Sequence, residues 1–441
     1  MIGTYLALLV FALTTVALAL YRRPTSEDDF LIRERQVGAL ETAAATFTLL
    51  GGGEFVTLTA LTYFYGLWSF VYFVGIVVGF VTMASLAGVI RGGATGRDLH
   101  SLPDFFALHF GPFLAAVATV LLTIALGALL QIQFVVGSQI LATLTDTSPI
   151  PWVIAIAAIV GMYLCVAGFR GVLATDMIQA AVMFVAVAVV AGAVAFRAPS
   201  PSDVAAAPTG ALPVADALAL VVLGMLAVWG GGDVWQRVFA ARSDRELRTG
   251  LLINAAAWLV FGLILVWLAF GIRSALPGAN PSTAFVDFVT SSLSPALGPL
   301  VGLLILSAIM STADVELFVI AILLNKELTR RSSDRASRRA AQWAVAGVAG
   351  VSAVLALFAR DLMDVYFIIL FLLAVTGPVA FARALGRGNR HTALLGLIGG
   401  SLVLISLLAY NKMAGWYQLL LLLPAVPAFL VAAPRSKEPV S

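Results

Sequence analysis

Charged residues are scarce in this sequence. Asp, Glu, Lys and Arg make up 11% of its 441 residues, against about 25% in soluble globular domains, while hydrophobic residues make up 61%. The single cysteine, Cys165, has no partner for a disulfide within the chain. Histidines are also rare, and three scattered ones do not make a metal site or a catalytic centre: His100, His109 and His391. No nucleophile–base pair is evident either, so we expect that the protein is not an enzyme.

The sequence has many apolar stretches instead, most of them about 18–25 residues long and therefore able to cross a bilayer. They predict an all-α integral membrane protein with about 13 transmembrane helices and no soluble domain. The first stretch is followed by Arg22-Arg23 and lacks a basic segment before it, so we expect a retained helix rather than a signal peptide. The 284–324 stretch is too long for one straight span, so part of it is expected to lie outside the membrane. The stretches cover residues 3–20, 39–65, 68–90, 112–141, 150–168, 172–196, 214–235, 249–272, 284–324, 340–359, 362–382, 391–409 and 415–433.

Basic residues fall on one side of this predicted topology. With the N-terminus outside, 22 of the 26 Lys and Arg residues lie in cytoplasmic segments, and four lie on the other side: Arg197, Arg273, Arg360 and Lys412. Cytoplasmic loops of membrane proteins are rich in Lys and Arg. We therefore expect a multi-pass protein of the bacterial cytoplasmic (inner) membrane, with the N-terminus outside and the C-terminus in the cytoplasm. The net charge of +3 reflects this bias, and no nucleic acid is expected as a partner.

Two glycine triplets interrupt apolar stretches, and a carboxylate follows each. Gly51-Gly52-Gly53 precedes Glu54, and Gly230-Gly231-Gly232 precedes Asp233. Glycine weakens a helix, and backbone freed at membrane depth is tolerated where it lines a cavity. Because the triplets open two successive groups of five stretches, they predict a 5+5 inverted repeat with broken first and sixth core helices; the alternative is that the glycines only allow close helix packing. The predicted division is an extra helix and loop (1–38), a first repeat (39–196), a second repeat (197–383), and two C-terminal helices with a short tail (384–441).

The predicted spans contain carboxylates but no Lys or Arg. Glu54, Asp176, Asp314 and Glu316 lie inside them. A buried acid without a basic partner has to be protonated, hydrated or matched by a bound cation. The surplus of negative groups predicts affinity for Na⁺ or H⁺. Asp176 and Gln179 are also spaced to cap a helix N-terminus, so capping and cation binding both remain open there.

Ser311 and Thr312 are adjacent hydroxyls, with the carbonyl of Ala308 one turn earlier. This group offers oxygen ligands to a small cation. The alternative is that both hydroxyls bond to carbonyls of their own helix. A similar choice applies to Gln131 and Gln133, each of which either faces a solute or bridges two helices.

Several short motifs follow one another between residue 29 and about residue 330: Asp29-Phe30-Leu31, Tyr63-Phe64-Tyr65-Gly66, Ser101-Leu102-Pro103-Asp104-Phe105-Phe106, Gly171 to Gln179, Trp235 to Ser243, and Ile309 to Asp314. Each is weak alone, but in this order and at this spacing they resemble the sodium/solute symporter family. The segment beyond about residue 340 matches only in hydropathy.

The resemblance implies the inverted-repeat fold shared with the bacterial leucine transporter, alternating access, and inward uptake driven by Na⁺. Asp176 is similar to an acid that forms a second sodium site in some members. The sodium ligands that the resemblance implies are the carbonyls of Phe47, Leu50 and Ala308 and the hydroxyls of Ser311 and Thr312.

Residues near the predicted breaks are expected to contact the solute. Met225 and Val228 stand where sugar-carrying relatives have polar side chains, which argues against a sugar. Glu54 and Glu316 stand where amides are usual, which fits a proton-titrating step or a cationic group on the solute. We predict an amino-acid-like or amine-bearing metabolite. The substrate-binding candidates are Gly51, Gly52, Gly53, Glu54, Gln131, Trp229, Gly230, Asp233, Glu316 and Tyr366.

The sequence therefore predicts a secondary active transporter that takes up a small organic solute together with Na⁺ by alternating access. Na⁺ is the expected coupling ion, and no organic cofactor is expected. Proton-coupled symport through Glu54 or Glu316 is one alternative. A solute sensor is another, although such proteins usually carry a cytoplasmic signalling extension and this chain ends soon after its last apolar stretch. The identity of the solute, the stoichiometry and the oligomeric state do not follow from the sequence.

Overall fold

The computed structural model describes residues 2–49, 52–92, 99–195, 213–280, 284–332, 338–358, 363–410 and 415–433. Within these ranges the regular structure is helical, apart from isolated β-bridges that pair Val37 with Ala241 and Arg387 with Ala432. The helices are α1 (Ile2–Tyr21), α2 (Glu27–Ile32), α3 (Ala39–Phe47), α4 (Gly52–Tyr65), α5 (Phe70–Ser85), α6 (Ala87–Gly92), α7 (Leu102–Phe110), α8 (Pro112–Thr145), α9 (Pro149–Ala195), α10 (Val214–Gly230), α11 (Gly232–Ala240), α12 (Asp244–Ala275), α13 (Ala284–Ser291), α14 (Gly298–Ser332), α15 (Arg338–Ala356), α16 (Met363–Ala384), α17 (Arg390–Leu394), α18 (Gly400–Ala409) and α19 (Val426–Leu430). The predicted all-α class is confirmed.

Eight of the described helices are long and apolar enough to cross a membrane, and the bent pair of α10 and α11 makes a ninth span. This number is smaller than the thirteen predicted stretches, partly because α9 runs through two of them, 150–168 and 172–196, and is counted once although a kink at Gly168 divides it. The short halves of broken segments also fall below the required length. The 284–324 stretch is divided into α13 and α14, so the prediction that it is not one straight span is confirmed.

The two glycine triplets coincide with helix breaks. α3 ends at Phe47, and α4 begins at Gly52. α11 leaves the axis of α10 at an angle of 52°, and Gly231 between them has the extended conformation, with φ −68° and ψ 108°. The predicted breaks in the first and sixth core helices are confirmed.

A third break divides α9 at Gly168. Its φ of +55° and ψ of −151° are non-helical, and this region of conformational space is open to glycine but not to residues with a Cβ. A Cβ at this position would lie 2.5 Å from the ring of Phe30 in α2. The glycine therefore lets the chain turn and lets α2 pack against the bend.

Serine side chains start three helices on the predicted cytoplasmic side. Each accepts a hydrogen bond from the backbone N–H three residues later, which satisfies a donor that the first turn leaves unpaired. The pairs are Ser26 with Asp29, Ser101 with Asp104, and Ser243 with Glu246.

Glycines bring α10 into backbone contact with the helices on both of its sides. A Cβ on Gly75 of α5 would lie 2.2 Å from the carbonyl oxygen of Val221, and one on Gly377 of α16 would lie 2.5 Å from that of Leu226. Backbones approach this closely only where a side chain is missing. α10, the first half of the second broken helix, is therefore held between α5 and α16.

Gly75→Ala is expected to destabilise the protein, because the added methyl group overlaps a backbone carbonyl that has no rotamer to change. Overpacking of this kind costs about 1–3 kcal/mol, and thermal unfolding of the purified protein measures it. Gly127→Ala in α8 is the matched control, since nothing lies within 4 Å of its Cβ position. Alanine favours a helix over glycine by about 1 kcal/mol, so the control is expected to be at least as stable as the wild type; equal losses in the two variants would contradict this account.

Candidate functional site

The hydroxyls of Ser311 and Thr312 in α14 meet the end of α3. Ser311 Oγ donates to the carbonyl oxygen of Thr48 at 3.0 Å, and Thr312 Oγ1 lies 3.1 Å from the same atom. Both hydroxyls also lie 3.1 Å from the carbonyl oxygen of Ala308. Four oxygen atoms thus gather between the two helices, away from solvent.

The first helix break supplies the Thr48 carbonyl for this cluster. The last carbonyls of a helix have no partner within it, and Thr48 follows directly after the end of α3. Each hydroxyl carries one proton and two lone pairs, so it donates to one carbonyl at a time and keeps lone pairs for a cation. A set made only of oxygens suits Na⁺. Each hydroxyl contacts a carbonyl of its own helix, as one sequence-based alternative predicts, and also reaches Thr48 after α3. Cation binding by Ser311 and Thr312 stays a prediction.

The other two residues of the predicted sodium set are placed less directly. The ring of Phe47 stacks on Phe184, with 4.4 Å between ring centroids, and Phe47 precedes the residue whose carbonyl meets the hydroxyls. Leu50 lies outside the described residues. Sequence reasoning missed Thr48, although its position one residue from Phe47 was a signal.

Thr48 also connects the hydroxyl cluster to a buried ion pair. Its Oγ1 donates to Asp176 Oδ1 at 3.0 Å, and Asp176 Oδ2 lies 3.5 Å from Arg237 Nη2. Both ion-pair side chains are fully buried. Arg237 Nε further donates to the carbonyl oxygen of Ala45 in α3 at 2.9 Å. The pair therefore joins α3, the middle of α9 and α11.

One expectation about Asp176 is wrong, and one of its two alternatives is excluded. The buried acids were expected to lack basic partners, but Asp176 pairs with Arg237, which lies just beyond the predicted span 214–235. Helix capping by Asp176 and Gln179 is also excluded, because α9 restarts at the Gly168 break and Asp176 lies about two turns further on. Gln179 is buried beside it, and its amide has no hydrogen-bond partner among the described residues.

Asp314 adds a second carboxylate to the same region. Its Oδ2 accepts a 2.5 Å hydrogen bond from Tyr163 Oη, and its Oδ1 has no hydrogen-bond partner within the described part of the chain. Asp314 and Asp176 are close enough to repel each other electrostatically, and Arg237 attracts both. Two carboxyl groups thus share one guanidinium.

A cavity of about 90 Å³ lies beside the second helix break. Its charged wall residue is Asp233, in the first turn of α11, and Trp258 contributes an indole N–H that has no described partner. Most of the remaining wall is apolar. The lining residues are Thr46, Leu49, Tyr72, Ile76, Phe80, Leu129, Ala227, Val228, Gly231, Asp233, Val234, Trp258 and Leu373.

Three predicted solute contacts lie away from this cavity. Gln131 Nε2 donates to the carbonyl oxygen of Ser352 at 3.2 Å, which is the helix-bridging alternative. Trp229 is fully buried and its Nε1 donates to Thr82 Oγ1 at 3.0 Å. Glu316 is fully buried in α14.

The remaining predicted solute contacts include glycines at both helix breaks. Gly230 has a packing role, because a Cβ there would lie 2.1 Å from the carbonyl oxygen of Leu373, whereas Gly52 and Gly53 begin α4. Gly51 and the side chains of Glu54 and Tyr366 lie outside the described part of the structure, so their predicted contacts with a solute stay predictions.

The predicted cytoplasmic end of α14 is held by a partly buried ion pair. Lys326 Nζ donates to Asp104 Oδ2 at 2.9 Å and lies 2.6 Å from His100 Nδ1. Burial by itself would raise the pKa of the Asp104 carboxyl, but the Lys326 ammonium and the His100 amide keep that pKa below its usual value. Asp104 therefore stays ionised and fixes α14 to α7.

Comparison with known families decides the class. Residues 30–400 match the model of the sodium:solute symporter family. The chain belongs to this family. Its curated relatives include the sodium/pantothenate symporter of Haemophilus influenzae, which is 25% identical over 318 residues; the match covers 67% of this chain and 64% of the relative.

Solved structures support the fold of this family member. One is a Na⁺-coupled sialic acid symporter in its substrate-bound outward-open state, with a TM-score of 0.81, 15% identity, and coverage of 98% of this chain and 96% of that one. Another is MHP1, a nucleobase-cation-symport-1 family transporter in a closed conformation, with a TM-score of 0.62, 17% identity and 93% coverage of both chains. The 5+5 inverted-repeat fold predicted from the glycine triplets is thus confirmed.

Proposed function

We propose that this chain imports a small organic solute together with Na⁺, and that Na⁺ binds between α3 and α14. The observation that supports this most strongly is the contact of Ser311 and Thr312 with the freed carbonyl of Thr48. A cation at this point holds α3 and α14 together through oxygen ligands from both. Ala308 supplies a fourth oxygen, and Phe47 and Leu50 remain proposed contributors.

Coupling to Na⁺ supplies enough free energy for uphill uptake. Entry of one charge down the membrane potential yields about 2.3 kcal/mol per 100 mV, and the sodium gradient adds to it. Uptake in this direction assumes the membrane orientation that the bias of basic residues predicts, with the N-terminus outside.

The cavity beside the second break favours a compact solute that carries an amine. Asp233 offers a carboxylate to an ammonium group, and the apolar wall formed by residues such as Val228 and Phe80 offers little to the hydroxyls of a sugar. The pantothenate named for one relative is a carboxylate, and such a group would be repelled by Asp233. At about 90 Å³ the cavity is smaller than ligand pockets of about 300–1,000 Å³, so solute entry requires α10 and α11 to move apart from α3 and α5.

Asp233→Asn is expected to weaken binding of an amine-bearing solute by about tenfold or more, because a charge-assisted hydrogen bond contributes about 1.5–3 kcal/mol. Thermal stabilisation across amines, amino acids, carboxylates and sugars, each with and without Na⁺, identifies the solute class first. Asp216→Asn on α10 is the control, since Asp216 does not line the cavity. A solute whose stabilisation is the same in Asp233→Asn and wild type would refute the assigned role of Asp233.

The two carboxyl groups beside a single guanidinium support a second cation site. We propose that Asp176 and Asp314, with Arg237, take up H⁺ or a second Na⁺ during the cycle. This differs from proton coupling through Glu54 or Glu316, which stays an alternative. Uptake into proteoliposomes under separately imposed Na⁺ and pH gradients distinguishes H⁺ from a second Na⁺, because only a proton-coupled step makes uptake respond to a pH gradient at constant Na⁺.

A further inference from the structure

Three arginines line a cavity at the predicted cytoplasmic end of α1. Arg22 follows the last turn of α1, Arg33 lies in the turn after α2, and Arg170 lies in α9 shortly after its break. The cavity has a volume of about 250 Å³. None of these residues takes part in the proposed sodium or solute site.

The wall is basic on one side and apolar on the other. Glu41 is the carboxylate on the wall and pairs with Arg33. Arg170 pairs with the buried Asp29 at 2.6 Å while remaining 30% exposed. Arg22 makes no ion pair or hydrogen bond through its side chain to other described residues and is exposed. The apolar part of the wall consists of Leu18, Leu173, Ala174 and Met177.

An unusual backbone conformation directs Arg33 to this place. Arg33, Glu34 and Arg35 have φ of 51°, 49° and 56°, which form a left-handed turn. Such a conformation costs about 1–2 kcal/mol per residue and persists only where contacts hold it. Here the contacts are the pairing of Arg33 with Glu41, the hydrogen bond from Ser26 to Glu34, and hydrogen bonds from Arg35 to the carbonyls of Leu99 and Phe239.

We propose that this cavity binds the headgroup phosphate of an anionic phospholipid from the cytoplasmic leaflet. Arg33 is paired with Glu41 and Arg170 with Asp29. Arg22 therefore leaves one positive charge in excess, so an anion is favoured. Guanidinium groups bind phosphate oxygens with planar, paired hydrogen bonds. The apolar wall belongs to α1 and α9, which both span the membrane, so it continues toward the acyl chains. A free phosphate would leave that wall uncovered. Basic pockets between transmembrane helices on the cytoplasmic side are known to bind anionic headgroups.

The expected consequence is that the lipid fastens the extra helix to the core. Arg22 directly follows α1, Arg33 precedes α3, and Arg170 belongs to α9, so one phosphate joins all three helices. Glu41, on the cavity wall, lies in the first turn of α3. A headgroup bound in the cavity therefore neutralises the surplus positive charge at the start of α3, the helix whose end leads to Thr48.

Native mass spectrometry of the purified protein tests this inference, using phosphatidylglycerol and phosphatidylcholine with identical acyl chains. Wild type is expected to retain phosphatidylglycerol preferentially. Arg22→Gln is expected to weaken that binding about fivefold, the contribution of one basic residue near a membrane surface. Arg23→Gln is the matched control, because Arg23 is the exposed neighbour in sequence and does not line the cavity.

Equal retention of the two lipids, or equal losses in Arg22→Gln and Arg23→Gln, would overturn the proposal. A third arm adds inorganic phosphate to the phosphatidylglycerol complex. Displacement of the lipid at similar concentrations of phosphate would show a site for a free anion and also overturn it, whereas retention supports the lipid. The readout is lipid binding alone, so it does not depend on transport or on the proposed solute.

Discussion

Thr312→Val is expected to raise the Na⁺ concentration required for half-maximal uptake by about tenfold to a hundredfold, because a hydrogen-bonding partner of a charged group contributes about 1.5–3 kcal/mol. Valine keeps the shape of threonine and replaces the hydroxyl with a methyl group. The variant therefore removes one of the four oxygens gathered around Thr48 and Ala308 with little change in packing.

Ser311→Ala is expected to act in the same direction, and the double variant to abolish Na⁺-dependent uptake. Two measurements check this: initial uptake rates in proteoliposomes at varied Na⁺, and thermal stabilisation of the detergent-solubilised protein by NaCl relative to choline chloride. The second measurement needs no solute, so it remains informative while the solute is unidentified.

Thr119→Val in α8 is the matched control. Its hydroxyl is buried and donates to the Ala115 carbonyl of its own helix at 3.0 Å, without reaching α3. A buried threonine of this kind is structural, so the control is expected to keep the Na⁺ dependence of the wild type. If Thr312→Val and Thr119→Val respond alike to Na⁺, the oxygen cluster is a packing feature and not a cation site.

The large features of the fold followed from the sequence because they depend on local composition. Apolar stretches and glycine triplets report helix length and helix weakness directly, and both breaks lie where the triplets predicted. The contact between α14 and α3 was predicted through the family resemblance and was not visible in the spacing alone. The break at Gly168 lies at the predicted boundary between the stretches 150–168 and 172–196, although the sequence analysis gave that glycine no role of its own.

The electrostatic partners could not be predicted, because they depend on which helices meet. Arg237 lies two residues beyond the predicted end of its span, and only the 52° bend of α11 turns it inward to Asp176. Tyr163 and Asp314 are 151 positions apart and meet because α9 packs along α14. Gln131 had two sequence-based alternatives, and its bond to a neighbouring helix matches the bridging one, while its contact with a solute stays a prediction.

Arg237→Met is expected to lower the stability of the protein by about 3–5 kcal/mol, the usual cost of removing one partner of a buried ion pair. The substitution leaves Asp176 and Asp314 buried with no guanidinium, and it removes the hydrogen bond to the Ala45 carbonyl in α3. Thermal unfolding of the purified variant, followed by tryptophan fluorescence, measures the loss.

Adding Asp176→Asn to Arg237→Met should restore much of that stability. The double variant has the same net charge in this region as the wild type, and buried ion pairs are often replaced together at little cost. Asp176→Asn alone is expected to be milder than Arg237→Met, because Arg237 then keeps its hydrogen bonds to the carbonyl oxygens of Ala45 and Asp233. If the double variant is instead as unstable as the sum of the two single variants, Asp176 and Arg237 act independently, and the link from α11 through Thr48 to the sodium ligands does not exist.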